Sequence, residues 1–207
     1  PDTSRWHAPT PSPIASRHLG VLRVAVRSPA SGVSSRSETL LVTISDQWMV
    51  ANYEEVLDYL AFIASRGEIE RLREAATPAE RRAAWEEFWA RRDPVPASPV
   101  NEYREEFFQR VRVAAEQFAE IGRPGWRTDR GEVYIVLGPP DRETHGELES
   151  RDISGAIDAI EWTYERGTGG RVQLLFLDRE GFGRFELTRN SELTFRSFAD
   201  RLRVPSE

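Results

Sequence analysis

The chain has 207 residues, 39% of them hydrophobic and 30% charged, with 28 basic against 34 acidic side chains and a net charge of -6. That is enough for one large or two small domains and excludes fibres and wholly disordered chains, while the acidic balance repels polyanions and argues against nucleic acid as a partner. With no cysteine, disulfides, thiolate metal centres and cysteine nucleophiles are excluded, and the longest apolar runs, Tyr134 to Leu137 and Leu174 to Leu177, are far shorter than the roughly 20 residues that span a bilayer.

Residues 1–18 form a Pro/Ser-rich tail whose composition cannot build a core. Such a segment becomes ordered against a partner, so Trp6, His7, Pro9, Pro11 and Pro13 are the candidate partner-binding residues. The chain opens at Pro1 rather than at methionine, which is read as a removed leader and export.

Residues 19–46 read as a short β-rich segment. Leu22, Val24 and Val26 alternate with arginines within a strand over Leu19–Val26, and Leu40, Val42 and Ile44 mark another over Thr39–Ile44. Residues 47–207 then hold a helical region and an α+β domain. Asn52 and Glu55 have capping-box spacing ahead of Val56, Leu57, Leu60 and Ile63, and Gly67 is expected to interrupt or bend that helix. Thr77, Pro78 and Glu80 open a second helix carrying Trp85, Phe88 and Trp89, which stops near Asp93-Pro94. A third is predicted from Ser98 and Pro99, with Tyr103, Phe107, Val111, Ala114 and Phe118 at helical spacing until Gly122 and Pro124.

Beyond that point the period changes to two. Val133–Leu137, Ile160–Glu165, Val172–Leu177 and Phe182–Leu187 read as strands, the first central because it is apolar on both faces. The residues from Pro139 to Ala156 read as a long polar loop, and Ser191 as the cap of a final helix with Phe195, Phe198, Ala199 and Leu202. The predicted fold is therefore α+β: a helical segment packed on an antiparallel meander, preceded by the β-rich piece and the extended tail.

Chemistry-bearing patterns are sparse. Asp129 and Asp141 would flank the central strand roughly 16 Å apart, beyond the roughly 5 to 9.5 Å of glycosidase carboxylate pairs. Asp141, Glu143 and His145 alternate along the polar loop and are the candidate ligands for a cation, although charge runs of this kind are usually solvated. Neither a phosphate loop nor a nucleophile elbow is present, so no catalytic residue and no cofactor is assigned.

The run Gly125-Trp126-Arg127-Thr128-Asp129-Arg130-Gly131 has the composition of a junction. Trp126 offers an anchor, Thr128 and Asp129 suit the capping of backbone N–H groups, and Arg110 or Arg130 is placed to pair with Asp93, Glu102 or Asp129. Through Gly125, Trp126, Thr128 and Asp129 the sequence resembles the bacterial GWxTD-domain family. The resemblance extends over about residues 80 to 190, upstream to Phe88-Trp89, Arg92-Asp93-Pro94, Pro96, Asn101-Glu102 and Arg110, and downstream to Gly138-Pro139-Pro140-Asp141. It implies an exported, envelope-associated protein with β-structure ahead of the domain, and it implies no reaction. The expectation is a non-catalytic interaction subunit in the periplasm, extrinsic to the membrane. It would dock on a larger membrane-bound assembly, such as an energy-transducing or light-harvesting complex, through its tail. The rival expectation is an envelope hydrolase or cation-dependent binding protein using residues 141–149.

Overall fold

The computed structural model describes residues 21–24, 38–41, 45–149, 156–165 and 170–203. It divides into two units, Pro1–Val42 and Thr43–Glu207. In the first, β1 (Val21–Val24) and β2 (Glu38–Leu41) pair antiparallel with Val21 opposite Leu41. The tail residues Trp6, His7, Pro9, Pro11 and Pro13, and the outer parts of both predicted strands, lie outside the described residues.

The second unit begins with helices α1 (Asp46–Ala51), α2 (Tyr53–Leu60), α3 (Arg66–Arg73) and α4 (Pro78–Ala90). The Asn52–Glu55 capping box does not form. The Asn52 amide instead donates to the Trp48 carbonyl, while Glu55 accepts from the Tyr59 hydroxyl. Gly67 does not break a helix either. The break falls at residues 61–65, and Gly67 lies in the first turn of α3, where Ser65 and Glu68 make a reciprocal capping box. Thr77, Pro78 and Glu80 open α4 with a second such box.

Helix α5 (Glu102–Gln117) starts at Asn101, not Ser98. Asn101 accepts the Arg104 N–H and donates to the Trp89 carbonyl at 2.7 Å, joining the start of α5 to the end of α4. Trp85, Phe88, Trp89, Phe107 and Phe108 make a buried aromatic cluster between these two helices, with Trp89 5.6 Å from both Phe107 and Phe108.

After a single 3-10 turn at Gly125–Arg127 comes α6 (Asp129–Leu137). The residues expected to form the central strand are thus helical. Thr128 caps this helix and Gly138, at φ +82°, ends it; Val133, Ile135 and Val136 are buried on it. Asp129 and Asp141 accordingly flank a helix, and their expected separation along a strand does not apply.

The sheet is a four-stranded antiparallel meander of β3 (Arg142–Glu149), β4 (Ala156–Tyr164), β5 (Val172–Asp178) and β6 (Glu186–Leu187), in that order. Residues Arg142–Glu149 of the expected polar loop are β3, and the expected strand over Phe182–Leu187 shortens to two residues because Asp178 holds the chain after β5 in a turn. Its carboxylate accepts from the N–H groups of Gly181, Phe182 and Gly183.

Helix α7 (Arg189–Arg203) is capped by Thr188. The Ser191 hydroxyl, expected to be that cap, instead accepts from the Leu175 N–H at 2.8 Å. One sheet face packs on helices through Trp162, which lies 5.4 Å from Phe118 and 4.9 Å from Phe176 between ring centres. The architecture is α+β. Among the described residues no helix is long and apolar enough to cross a membrane.

Candidate functional site

The motif residues converge on the joint between α5, α6 and the sheet. Gly125 is buried against α5, so close that a Cβ there would lie 2.1 Å from the Ala114 carbonyl oxygen. Only glycine permits that approach. From this turn Trp126 reaches back to the first helices, where it meets Tyr59 edge-on at 4.9 Å and Phe62 at 6.2 Å. Arg127 lies over the Trp126 ring and pairs with Asp58 at 2.7 Å. Burial, and next the hydrogen bond to Glu55, raise the Tyr59 hydroxyl well above its ordinary range, so it stays protonated.

Thr128 is fully buried, and its hydroxyl works in both directions. It donates to the Gly125 carbonyl at 2.7 Å and accepts from the Gly131 N–H at 3.0 Å, which closes the turn and starts α6. Asp129 occupies the first helical position, where a carboxylate is favoured by the helix dipole, and one oxygen accepts the Leu187 N–H at 2.8 Å. Its other oxygen lies 3.6 Å from Arg123. The motif thereby ties α2, α5, α6 and β6 to one turn.

The arginine pairings differ from those expected. Arg110 pairs with Glu106 and donates to the Ile135 and Val136 carbonyls, satisfying the end of α6. Its guanidinium lies under Gly138, where a Cβ would come within 3.1 Å. Arg130 lies 3.6 Å from Glu120, which accepts the Phe185 N–H, and stacks over Phe185. Burial weakens the hold of Arg130 on its proton, against the opposing effect of Glu120. Asp93 binds neither arginine; it accepts the Val95 N–H in a turn after α4.

From Gly138 the chain passes exposed Pro139 and half-buried Pro140 to Asp141, whose carboxylate accepts the Glu165 N–H at 2.7 Å. The Gly138 carbonyl accepts from the buried Tyr164 hydroxyl. Asp141 is thereby engaged at the rim of the sheet. Glu143 and His145 meet each other 2.6 Å apart, and the second Glu143 oxygen accepts the Trp162 indole N–H at 2.8 Å. Among the described residues no group of three or more histidine or carboxylate side chains is placed to hold a metal ion. An open depression of about 470 Å³ lies elsewhere, lined by Ala61, Ala64, Ser65, Arg66, Ile69 and Asp200.

A second polar joint was not anticipated as a unit. Arg92 grips both oxygens of Glu68 at 2.8 and 2.9 Å, with side chains only 13% and 4% exposed. It also lies over the Phe88 ring at 3.9 Å, linking α3 to the end of α4. Burial alone would raise the Glu68 carboxyl, but the Ser65 N–H and the Arg92 guanidinium outweigh it and hold the group below its ordinary value. The Ser65-x-x-Glu68 spacing was the available signal for this joint; the reach of Arg92 across 24 residues had none.

No curated protein and no solved structure matches the chain. The family model for the GWxTD domain matches residues 29–199, and on that extent the chain belongs to the GWxTD domain family.

Proposed function

We propose that the chain is a non-catalytic interaction subunit of the bacterial cell envelope, exported and extrinsic to the membrane, that docks on a larger membrane-bound assembly. The observation that supports this reading is how the signature residues spend their polar atoms. The Thr128 hydroxyl, the Asp129 and Asp141 carboxylates, the Asn101 amide and the Arg110 guanidinium all bind backbone groups of the chain itself. A catalytic acid, base or nucleophile has to present its reactive atom to a substrate. A motif whose polar atoms are committed to turns and helix ends instead builds a rigid platform.

The test is co-fractionation of the tagged full chain expressed in its native cell. After mild detergent solubilisation of the membranes, it is expected to migrate with a high-mass complex at fixed stoichiometry. Recovery solely as a free monomer in the soluble fraction would overturn the proposal.

A further inference from the structure

The outer strand β3 is unusual for an edge. Proteins keep unpaired edges short, bulged, interrupted by proline, charged or covered, because their free N–H and C=O groups accept another strand, and of these guards β3 shows only charge, which turns away like charges and admits opposite ones. Here the edge runs for eight residues in unbroken register, from Arg142 opposite Thr163 to Glu149 opposite Ala156. It stands at the end of the sheet order, and every residue from Arg142 to Leu148 is exposed.

Side-chain charge decides what such an edge accepts. Residues opposite one another share a face, so Glu143, His145 and Glu147 lie beside Trp162, Ile160 and Asp158; that face packs on helices at Trp162, and its exposed margin along β3 carries the two carboxylates with His145 between them. The other face carries Arg142, Thr144 and Leu148, the last 44% exposed. A second copy is a poor occupant. Antiparallel pairing of two β3 strands centred on His145 sets Glu143 of each against Glu147 of the other, and like charges directly opposite are destabilising.

We infer that β3 is a docking edge for an extended segment of another protein in which basic and apolar residues alternate, received by strand addition. Main-chain hydrogen bonds supply the attachment, the basic side chains meet Glu143 and Glu147, and the apolar ones cover Leu148. The inference rests on the interaction reading above and names the chemistry of one contact.

The probe is an acetylated alternating Lys-Val octapeptide, compared with an alternating Glu-Val octapeptide and with a Lys-Val peptide N-methylated at every residue. Added to the full chain, the Lys-Val peptide is expected to slow amide exchange along Arg142–Glu149, with affinity falling as salt rises. N-methylation, which removes the main-chain donors, is expected to abolish that protection, and the Glu-Val peptide to give none. The Glu143→Gln/Glu147→Gln double variant is expected to bind about fivefold to tenfold more weakly at low salt.

Equal binding of the N-methylated peptide, protection elsewhere, no binding, or self-association through β3 would each overturn the inference. Co-fractionation with a membrane complex, measured on the same double variant, separates the two claims. If it persists while the peptide fails to bind β3, the interaction reading stands and the docking edge falls.

Discussion

Gly131 lies so close to the Gly125 carbonyl that a Cβ on it would come within 1.9 Å of that oxygen. The obstacle is backbone, fixed in turn by the Thr128 hydroxyl, so it cannot rotate away like a side-chain tip. Gly131→Ala is expected to destabilise the fold by about 3 kcal/mol or more, the upper end of overpacking costs. Gly146 in β3 has nothing within 4 Å of its Cβ position, and Gly146→Ala should stay within about 0.5 kcal/mol of the parent. Urea unfolding of both variants checks the contrast. A Gly131→Ala loss below about 1 kcal/mol would show that the turn relaxes.

Thr128 allows the hydroxyl to be separated from the bulk of the side chain. Thr128→Val keeps the shape but leaves the Gly131 N–H without its partner in a fully buried site, and the Gly125 carbonyl with only the Thr128 N–H. The expected loss is about 2–3 kcal/mol. Thr128→Ser keeps both hydrogen bonds and gives up one methyl, about 1 kcal/mol. If serine proves as costly as valine, packing and not hydrogen bonding holds the turn.

These two residues also show what was legible beforehand. The Gly125–Asp129 turn could be read as a structural joint because glycine, threonine and aspartate have distinct backbone roles at turns. Helix α4 was legible for the same reason, through Thr77, Pro78 and Glu80.

In sequence, α6 has the look of a strand because Val133, Ile135 and Val136 are β-branched and their run is short and buried, where periodicity does not separate the two states. The stronger signals flanked it, in Thr128 three residues before Gly131 and in Gly138 at the end. Strand β3 carries no such signal because its residues are exposed on both faces, so no hydrophobic alternation marks it. The pairings of Arg92 with Glu68 and of Arg130 with Glu120 bridge separate elements and follow from packing alone.

The Glu68–Arg92 pair makes an acid-dependence prediction. Glu68 is held below its ordinary value of 4.5 in the folded chain. Its contribution is thus fully present above that value and is lost as pH falls through the lower folded-state value. In Glu68→Gln that pH-dependent contribution disappears, so the stability gap between parent and variant should be constant near neutral pH and shrink below about pH 4.5. Arg92→Met leaves the carboxylate buried without its cation and is expected to cost about 3–5 kcal/mol at neutral pH. Denaturant midpoints measured from pH 3 to pH 7 are the check, and a gap that widens on acidification would contradict the assigned direction.

Asp129 offers the sharpest separation of a structural from a functional role, because its carboxylate reaches from the start of α6 to the backbone of β6. Asp129→Asn retains an oxygen able to accept the Leu187 N–H and loses the charge, favoured at a helix N-terminus and facing Arg123, about 1 kcal/mol. Asp129→Ala removes the acceptor, and the Leu187 amide is expected to exchange about tenfold faster or more, in line with a loss of roughly 1–3 kcal/mol. Amides in the middle of β4 and β5, such as Ile160 and Phe176, should change only as much as global stability does. Unaltered protection at Leu187 in the alanine variant would refute the tie between α6 and β6. Both variants, where folded, should still co-fractionate with the membrane assembly. An asparagine variant that keeps Leu187 protected yet loses its partner would instead place Asp129 in the contact itself.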